Sequence, residues 1–255
     1  MRALAQGWNE FWLAWTFLTR LPAPVQLNYS EAGLNRAARY FPWVGAVLGL
    51  LNVLVFCLAL ELLGSISVAI LLQLVAGLLL TGAFHEDGFA DYCDSFGGQD
   101  QQSRLAIMVD SRLGTFGVAG LFSILALRVS LLASLPVHSI VLAIIFGSVA
   151  SRLLAVSLMV DNDYVKAQGK SKPLATTMDW PTLMFSALPL VPILLFLAPL
   201  AALLSILFLL LFRFAFVRQL RQRLGGYTGD CLGAAQQMAE VLTYAALVAV
   251  YIRLV

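Results

Sequence analysis

The sequence predicts an all-α, polytopic transmembrane helical bundle of about seven spans, with an N-terminal interfacial helix and cytoplasmic active-site loops. Three observations carry that prediction. Apolar residues make up 60% of the 255-residue chain and charged residues 12%, against about 45–50% and 25% in soluble domains. Apolar runs of about bilayer length recur along the chain. The connectors between them alternate: very short ones without Lys or Arg, then longer polar ones that hold nearly all the basic residues.

Taken in order, Trp8, Phe11, Trp12 and Trp15 fall along one helical face of residues 8–20, a stretch shorter than the ~20 residues a crossing needs. Aromatics at that spacing suit a helix lying at headgroup level; packing against the bundle would give the same pattern. Leu21-Pro22-Ala23-Pro24 ends it, and a polar connector with Arg36 and Arg39 follows. The expected spans are 41–63, 66–84, 116–135, 138–159, 182–198, 200–217 and 234–254. The run 182–217 is divided at Pro199, because one crossing there would put Arg218, Arg221 and Arg223 opposite the other basic connectors. Pro189 and Pro192 leave a re-entrant first half open. Seven spans place the N-terminal segment and the connectors 85–115, 160–181 and 218–233 on one face, which the positive-inside rule makes cytoplasmic. No internal repeat or low-complexity linker divides residues 1–255, so a single integral-membrane catalytic domain is expected.

Composition also excludes. A net charge of +2 without a basic arm argues against nucleic acid as a partner. Cys57, Cys93 and Cys231 have no CxxC spacing, so reduced thiols are expected and a zinc site is not. Residues 1–20 carry Glu10 in their apolar part and no small-residue cleavage site, so no cleavable signal peptide is expected.

The chemistry gathers in Thr81–Gly98, TGAFHEDGFADYCDSFGG. Continued as a helix, it sets Asp87, Asp91 and Asp94 at i, i+4 and i+7, within roughly 60° of arc. Stacked like charges repel. A hard divalent cation reverses that sign, since Mg²⁺ takes oxygen ligands from one or two carboxylates, substrate phosphates and waters. A solvated acidic turn is the plainer reading, but carboxylates at a membrane boundary usually mark function. Glu86 and His85 stand beside the three.

Two weaker stretches accompany it. In Met108–Gly117, MVDSRLGTFG, Asp110 could ligate metal, Ser111 and Arg112 could bind phosphate, and Gly114 and Gly117 could admit close backbone approach. An ordinary Asp–Arg surface pair would look the same. In Gly225–Glu240, GGYTGDCLGAAQQMAE, glycines including Gly226 surround Thr228 and Asp230 where a helix opens, a setting for an anion or for a plain N-cap. Arg128, deep in an apolar run, should be buried against protein or a cavity. Arg152 could reach the site from within the bilayer, or snorkel. Lys166, Lys170 and Lys172 form a basic connector that could hold a nucleotide or contact anionic lipid. Since all these stretches fall on one face, an acidic metal site ringed by basic groups there suits phosphoryl transfer from a pyrophosphate.

FLTRLPAP (17–24), RYFPWVGAVLG (39–49), TGAFHEDGFADYCD (81–94), DSRLGTFG (110–117) and GGYTGDCLGA (225–234) together resemble the cobalamin synthase family. The resemblance spans nearly the whole chain in order. It implies a multi-pass enzyme of the bacterial cell inner membrane, dependent on Mg²⁺, that joins adenosylcobinamide-GDP to α-ribazole or its 5′-phosphate and releases GMP. It implies Asp87, Asp91, Asp94 and Asp110 as metal-holding residues, with Asp230 or Glu86 taking the nucleophile's proton. Arg112, Ser111, Arg39, Arg152, Lys170, Gly226, Thr228 and His85 are then the candidates for substrate and phosphate. Tyr92, Cys93 and Ser95 depart from the family's pattern at spacer positions only. The expected partners are the two substrates and the lipid bilayer, with a homo-oligomer or association with other B12-assembly enzymes left open; small-residue patches such as Gly45 and Gly49 would allow close helix pairing.

Two other readings remain on the residues alone. The spacing of Asp87, Gly88, Ala90, Asp91 and Asp94 resembles the acidic helix of CDP-alcohol phosphotransferases, although that motif's longer reach to two further aspartates is not matched. An ion-coupled transporter would bind ions with carboxylates near the midplane. Only Glu61 and Glu240 lie in or near spans, both close to span ends, which disfavours it.

Overall fold

The computed structural model describes residues 2–165 and 177–252, and the fold is all-α. The chain opens with α1 (Arg2–Leu18), α2 (Glu31–Ala37), α3 (Phe41–Leu63) and α4 (Ile66–Thr81). It continues through α5 (Phe84–Asp94), α6 (Gln101–Val109), α7 (Thr115–Ala133) and α8 (Val137–Ser157). It closes with α9 (Trp180–Ala187), α10 (Leu190–Leu194), α11 (Pro199–Leu224) and α12 (Gly229–Tyr251).

Local chemistry accounts for most boundaries. Ser30, Ser65, Asp100, Asp179 and Thr228 are N-caps whose side chains accept a backbone N–H from the first turn of α2, α4, α6, α9 and α12. Gly64, Gly82 and Gly225 end α3, α4 and α11 in the left-handed region that favours glycine. After Gly82 the next residue, Ala83, is also left-handed, at φ 55°. For a residue with a Cβ that costs about 1–2 kcal/mol. The two together turn the chain by 89° between α4 and α5. The apolar run expected to span 66–84 therefore stops at Thr81, and the acidic helix leaves the direction of the span.

α8 is the hub. It is buried along most of its length and packs between α3 and α12. Gly45 and Gly49 of α3 lie directly against α8: a Cβ on Gly49 would stand 3.0 Å from the Ile145 Cα. The small pair thus serves a contact inside the chain. α3, α4, α7 and α11 present rows of exposed Leu, Val, Ile and Phe outward, as a lipid-facing surface requires.

Among the described residues, four helical stretches are long and apolar enough to cross a membrane: Glu31–Leu63, Thr115–Ala133, Val137–Ser157 and Pro199–Leu224. Counting the bent pair Ile66–Thr81 and Phe84–Gly97 as one gives five, against the seven expected. The difference has two sources. The run 182–198 is broken at Leu188–Pro189 into α9 and α10, of eight and five residues, neither able to span. α12 has the length, at 23 residues, but carries Asp230 in its first turn and mixes Gln236, Gln237 and Glu240 into its buried faces. The division at Pro199 stands, since α11 begins there and runs on to Leu224.

α1 is docked on the bundle by Leu13, Ala14, Trp15 and Leu18, while Leu4 and Trp8 remain exposed. Its buried Glu10 accepts from Arg36 at 2.6 Å and Arg39 at 2.7 Å, which ties α1 to α2 and the turn after it.

Candidate active site

The site is built where α5 meets α12. A Cβ on Gly88 would stand 3.0 Å from the Asp230 Cα, and one on Gly233 would stand 2.9 Å from the His85 carbonyl oxygen. Only glycine allows that approach. It lays the Asp87–Asp91 face of α5 beside the first turn of α12. Asp87 and Asp230 both line a cavity of about 1100 Å³, together with residues of α1, α3, α6 and the end of α8. The N-terminal segment and the connectors after α5, α8 and α11 therefore meet at one end of the bundle. Much of the remaining lining is apolar, including Leu13, Phe17, Leu18, Phe41, Val156 and Met159.

The carboxylates act on one another. Asp91 is half-buried; burial, then the charges of Asp230, Asp87 and Asp94, raise its carboxyl to about 7. Burial raises Asp230 to about 6; its own backbone hydrogen bond opposes this, Asp87 adds to it and the Thr228 hydroxyl opposes it. Among the described residues, no three His, Cys, Asp or Glu side chains already stand around one point at metal-ligand spacing.

The other sequence candidates divide. Asp94 turns away from this cavity: its two carboxylate oxygens accept the Gly114 and Gly117 N–H groups, each at 2.7 Å. A Cβ on Gly114 would reach within 2.5 Å of the Asp94 carboxylate, and one on Gly117 would overlap it. The backbone approach that those glycines permit is to Asp94, which anchors the start of α7. Asp110 and Ser111 are outside the cavity lining; Asp110 takes a two-pronged contact from the exposed Arg112, with Nη2 at 2.6 Å. Asp110 is therefore not gathered with Asp87 and Asp230; Asp91, one turn along α5 from Asp87, is also outside the lining but feels the charges of both. Arg39 is held by Glu10 and lies over the Tyr40 and Phe185 rings. Gly226 makes room for the Asp163 backbone, so that Tyr227 N–H donates to Asp163 O and Val165 N–H to Tyr227 O. Thr228, not Asp230, is the N-cap of α12, and Thr228 also lines the cavity. Lys170, with Lys166 and Lys172, lies outside the described residues.

Glu86, a candidate base, faces the other way. It accepts from Gln237 Nε2 at 2.9 Å and stands 3.9 Å from Arg128. Arg128 in turn pairs with Glu240 at 2.8 Å, and Glu240 also accepts from the Tyr244 hydroxyl and Gln236. Glu86, Arg128, Gln236, Gln237 and Glu240 line a second, water-sized chamber of about 20 Å³. His85 and Arg152 line both that chamber and the large cavity. Buried Arg128 answers its sequence expectation, and the carboxylate of Glu240 is matched by it rather than left to an ion.

The apolar wall and the Gln236–Gln237 pair were not singled out from sequence. Their signal, polar residues recurring inside an otherwise apolar last helix, becomes specific only once their partners, Glu86 on α5 and Ser151 on α8, are known.

Residues 10–248 match the model of a family described as cobalamin-5-phosphate synthase. Three curated relatives each carry the name adenosylcobinamide-GDP ribazoletransferase. The protein of Ralstonia pickettii is 43% identical over 95% of this chain and 96% of its own length. That of Shewanella amazonensis is 43% identical over 93% and 94%. That of Vibrio parahaemolyticus is 45% identical over 94% and 92%. No solved structure matches the chain. With a match that covers nearly every helix described above, the chain belongs to the cobalamin-5-phosphate synthase family.

Proposed function

We infer that this chain is an adenosylcobinamide-GDP ribazoletransferase. It joins the cobinamide-phosphate part of adenosylcobinamide-GDP to α-ribazole or its 5′-phosphate and releases GMP. The observation that carries the reading is the cavity that Asp87 and Asp230 line together with a largely apolar wall, in a chain matching the family over residues 10–248.

In the reaction, an acceptor hydroxyl oxygen forms a bond to the cobinamide-bearing phosphorus while the bond from that phosphorus to the bridging oxygen of GMP breaks. In this reading Asp230 takes the hydroxyl proton; its position in the cavity lining and a carboxyl raised to about 6, suited to a base around neutral pH, support that role. The apolar wall keeps water, the competing nucleophile, away from the phosphorus. The donor set fits a hard divalent cation. Asp87 and Asp91 are held close against their repulsion, and Mg²⁺ needs only one or two carboxylates when substrate phosphates complete its shell. Asp87 and Asp91 would hold it. When bound, Mg²⁺ would neutralise charge developing between the two phosphates.

The basic connectors support a cytoplasmic orientation of this end of the bundle, and the family relationship supports the bacterial inner membrane as its place. The test is turnover by purified protein in detergent. Adenosylcobinamide-GDP, α-ribazole 5′-phosphate and Mg²⁺ are expected to give GMP and a joined corrinoid, with EDTA abolishing both. Folded protein that releases no GMP with either acceptor would overturn the reading.

A further inference from the structure

Among the described residues, Arg152 is a buried cation with no ion pair of its own. Its side chain is 5% exposed and lies in the middle of the bundle between α3, α8 and α12. Gly45 opens the passage for it: a Cβ there would stand 2.9 Å from the Arg152 Cδ and 2.6 Å from the Ser148 carbonyl oxygen. Nη1 donates to that carbonyl at 2.9 Å, a contact within its own helix, and Nε is buried with no partner. Glu240 and Glu86 act on it through space, and Glu86 Oε2 beside the same small chamber has no partner, but no ion pair joins either carboxylate to Arg152. Glu240 Oε1 takes Arg128 at 2.8 Å and Tyr244 at 2.7 Å, and Glu86 Oε1 takes Gln237 at 2.9 Å. A guanidinium desolvated for one peptide carbonyl is costly unless something completes it. The 20 Å³ chamber on its inner side has room for one water. Its other side is the wall of the large cavity, beside His85.

The size and polarity of that cavity say which ligand group arrives there. Pockets for small ligands run to about 1,000 Å³. A nucleotide-sized acceptor fits within 1100 Å³ beside Arg152, whereas a corrinoid with its nucleotide is far larger and must remain mostly at the mouth. An apolar wall of Leu18, Phe41, Val156 and Met159 adjoins Arg152 and suits a flat, uncharged base. The carboxylates Asp87 and Asp230 repel an anion that comes without a metal, so a phosphate monoester settles at the guanidinium instead.

We propose that Arg152 is the phosphate-recognition residue for the acceptor: it binds the 5′-phosphate of α-ribazole 5′-phosphate and makes the enzyme prefer the phosphorylated acceptor over α-ribazole. The proposal rests on the ribazoletransferase reading. A phosphate at Arg152 could also belong to the donor's pyrophosphate, and the experiment separates the two.

Initial rates of GMP release are measured for wild type, Arg152→Lys and Arg152→Gln, with each acceptor varied at saturating donor and the donor varied at saturating acceptor. The expected result is that Arg152→Gln lowers the ratio of kcat/KM for the phosphorylated over the unphosphorylated acceptor by about tenfold or more, through KM. Arg152→Lys should fall between, and the donor KM should change less than the acceptor's. An equal loss for both acceptors, or a loss carried by the donor KM, overturns the proposal. Should Arg152→Gln not fold, wild type decides. Inorganic phosphate is expected to compete with α-ribazole 5′-phosphate and not with α-ribazole; competition with both or with neither overturns it. Wild type that releases no GMP with either acceptor would sink the underlying reading instead.

Discussion

Gly88 lies so close to Asp230 that a β-carbon on it would stand 3.0 Å from the Asp230 Cα and 3.2 Å from its carbonyl oxygen. The neighbour is helix backbone, which cannot move aside as a side chain end can. Gly88→Ala must therefore part α5 from α12 and shift Asp87 relative to Asp230. Overpacking of this kind costs about 1–3 kcal/mol. A misplacement of ~1 Å at reacting groups costs about a hundredfold in rate. Gly97→Ala is the control, since nothing lies within 4 Å of a Cβ there. Gly88→Ala is expected to lose both melting temperature and GMP release, and Gly97→Ala neither. Normal turnover in Gly88→Ala would show that the α5–α12 approach does not set the site.

Asp87→Asn removes a cavity carboxylate while keeping its shape. Turnover should fall by about a hundredfold or more, the scale of losing one electrostatic group at a reacting phosphate. The thermal unfolding of the metal-free variant should match or exceed wild type, because a repelling charge has gone. Turnover within a few-fold of wild type would remove Asp87 from the reaction.

Much of this was readable in the residues because both period and charge spoke clearly. The i, i+4, i+7 spacing of Asp87, Asp91 and Asp94 marked an acidic helix, and α5 is that helix. The strings around Gly114, Gly117, Gly226 and Asp230 marked segments that do meet at one end of the bundle. What spacing could not convey is direction. Asp94 shares a helical face with Asp87 and Asp91, yet its carboxylate satisfies the first N–H groups of α7, a partner 20 residues on. Arg39 sits in a family string and pairs with Glu10, 29 residues back. Glu86 neighbours Asp87 in sequence and faces a different cavity, because consecutive helix residues point about 100° apart. The break at Leu188–Pro189 was signalled by proline, but hydropathy alone still read 182–198 as a span.

Asp94→Ala should act on stability rather than on the metal. Two charge-assisted bonds to buried or half-buried N–H groups are lost, and both donors are left unpaired beside a newly made void. A loss of about 2–4 kcal/mol is expected on that basis. Asp94→Asn, which keeps one acceptor oxygen, should lose less. Binding of Mg²⁺ or Mn²⁺ measured on folded protein at low temperature should persist in both. Unchanged melting of Asp94→Ala would refute the anchoring role.

Asp91 links pH to stability with a definite sign. Its carboxyl stands at about 7 in the folded protein, above the ordinary value of 3.8, so the native state binds more protons than the unfolded state between those values. The contribution favours folding fully below about 3.8 and is lost as pH rises through about 7. Metal-free wild type should therefore melt lower at pH 8 than at pH 6, and Asp91→Asn should flatten that difference. Added Mg²⁺ should raise the pH 8 melting point of wild type more than that of the variant. Parallel pH profiles for the two proteins would dissociate Asp91 from the effect.

The buried group of Arg128, Glu240 and Glu86 offers the sharpest energetic test, because its members lie on three helices. Arg128 from α7 reaches Glu240 of α12 at 2.8 Å and Glu86 of α5 at 3.9 Å, and all three side chains are less than a tenth exposed. Removing one partner strands the other in a medium of low dielectric, at about 3–5 kcal/mol. Removing two together restores the balance of charge. Arg128→Met is accordingly expected to melt far below wild type in detergent. Glu240→Gln should be destabilised less, because Glu86 still faces Arg128. The double variant should recover part of the loss, with a coupling of roughly 1–3 kcal/mol. Because α5 carries Asp87, Arg128→Met should also weaken GMP release at temperatures where it is folded. If the two single effects simply add, within about 0.5 kcal/mol, the pair is not coupled and the three helices are held by packing alone.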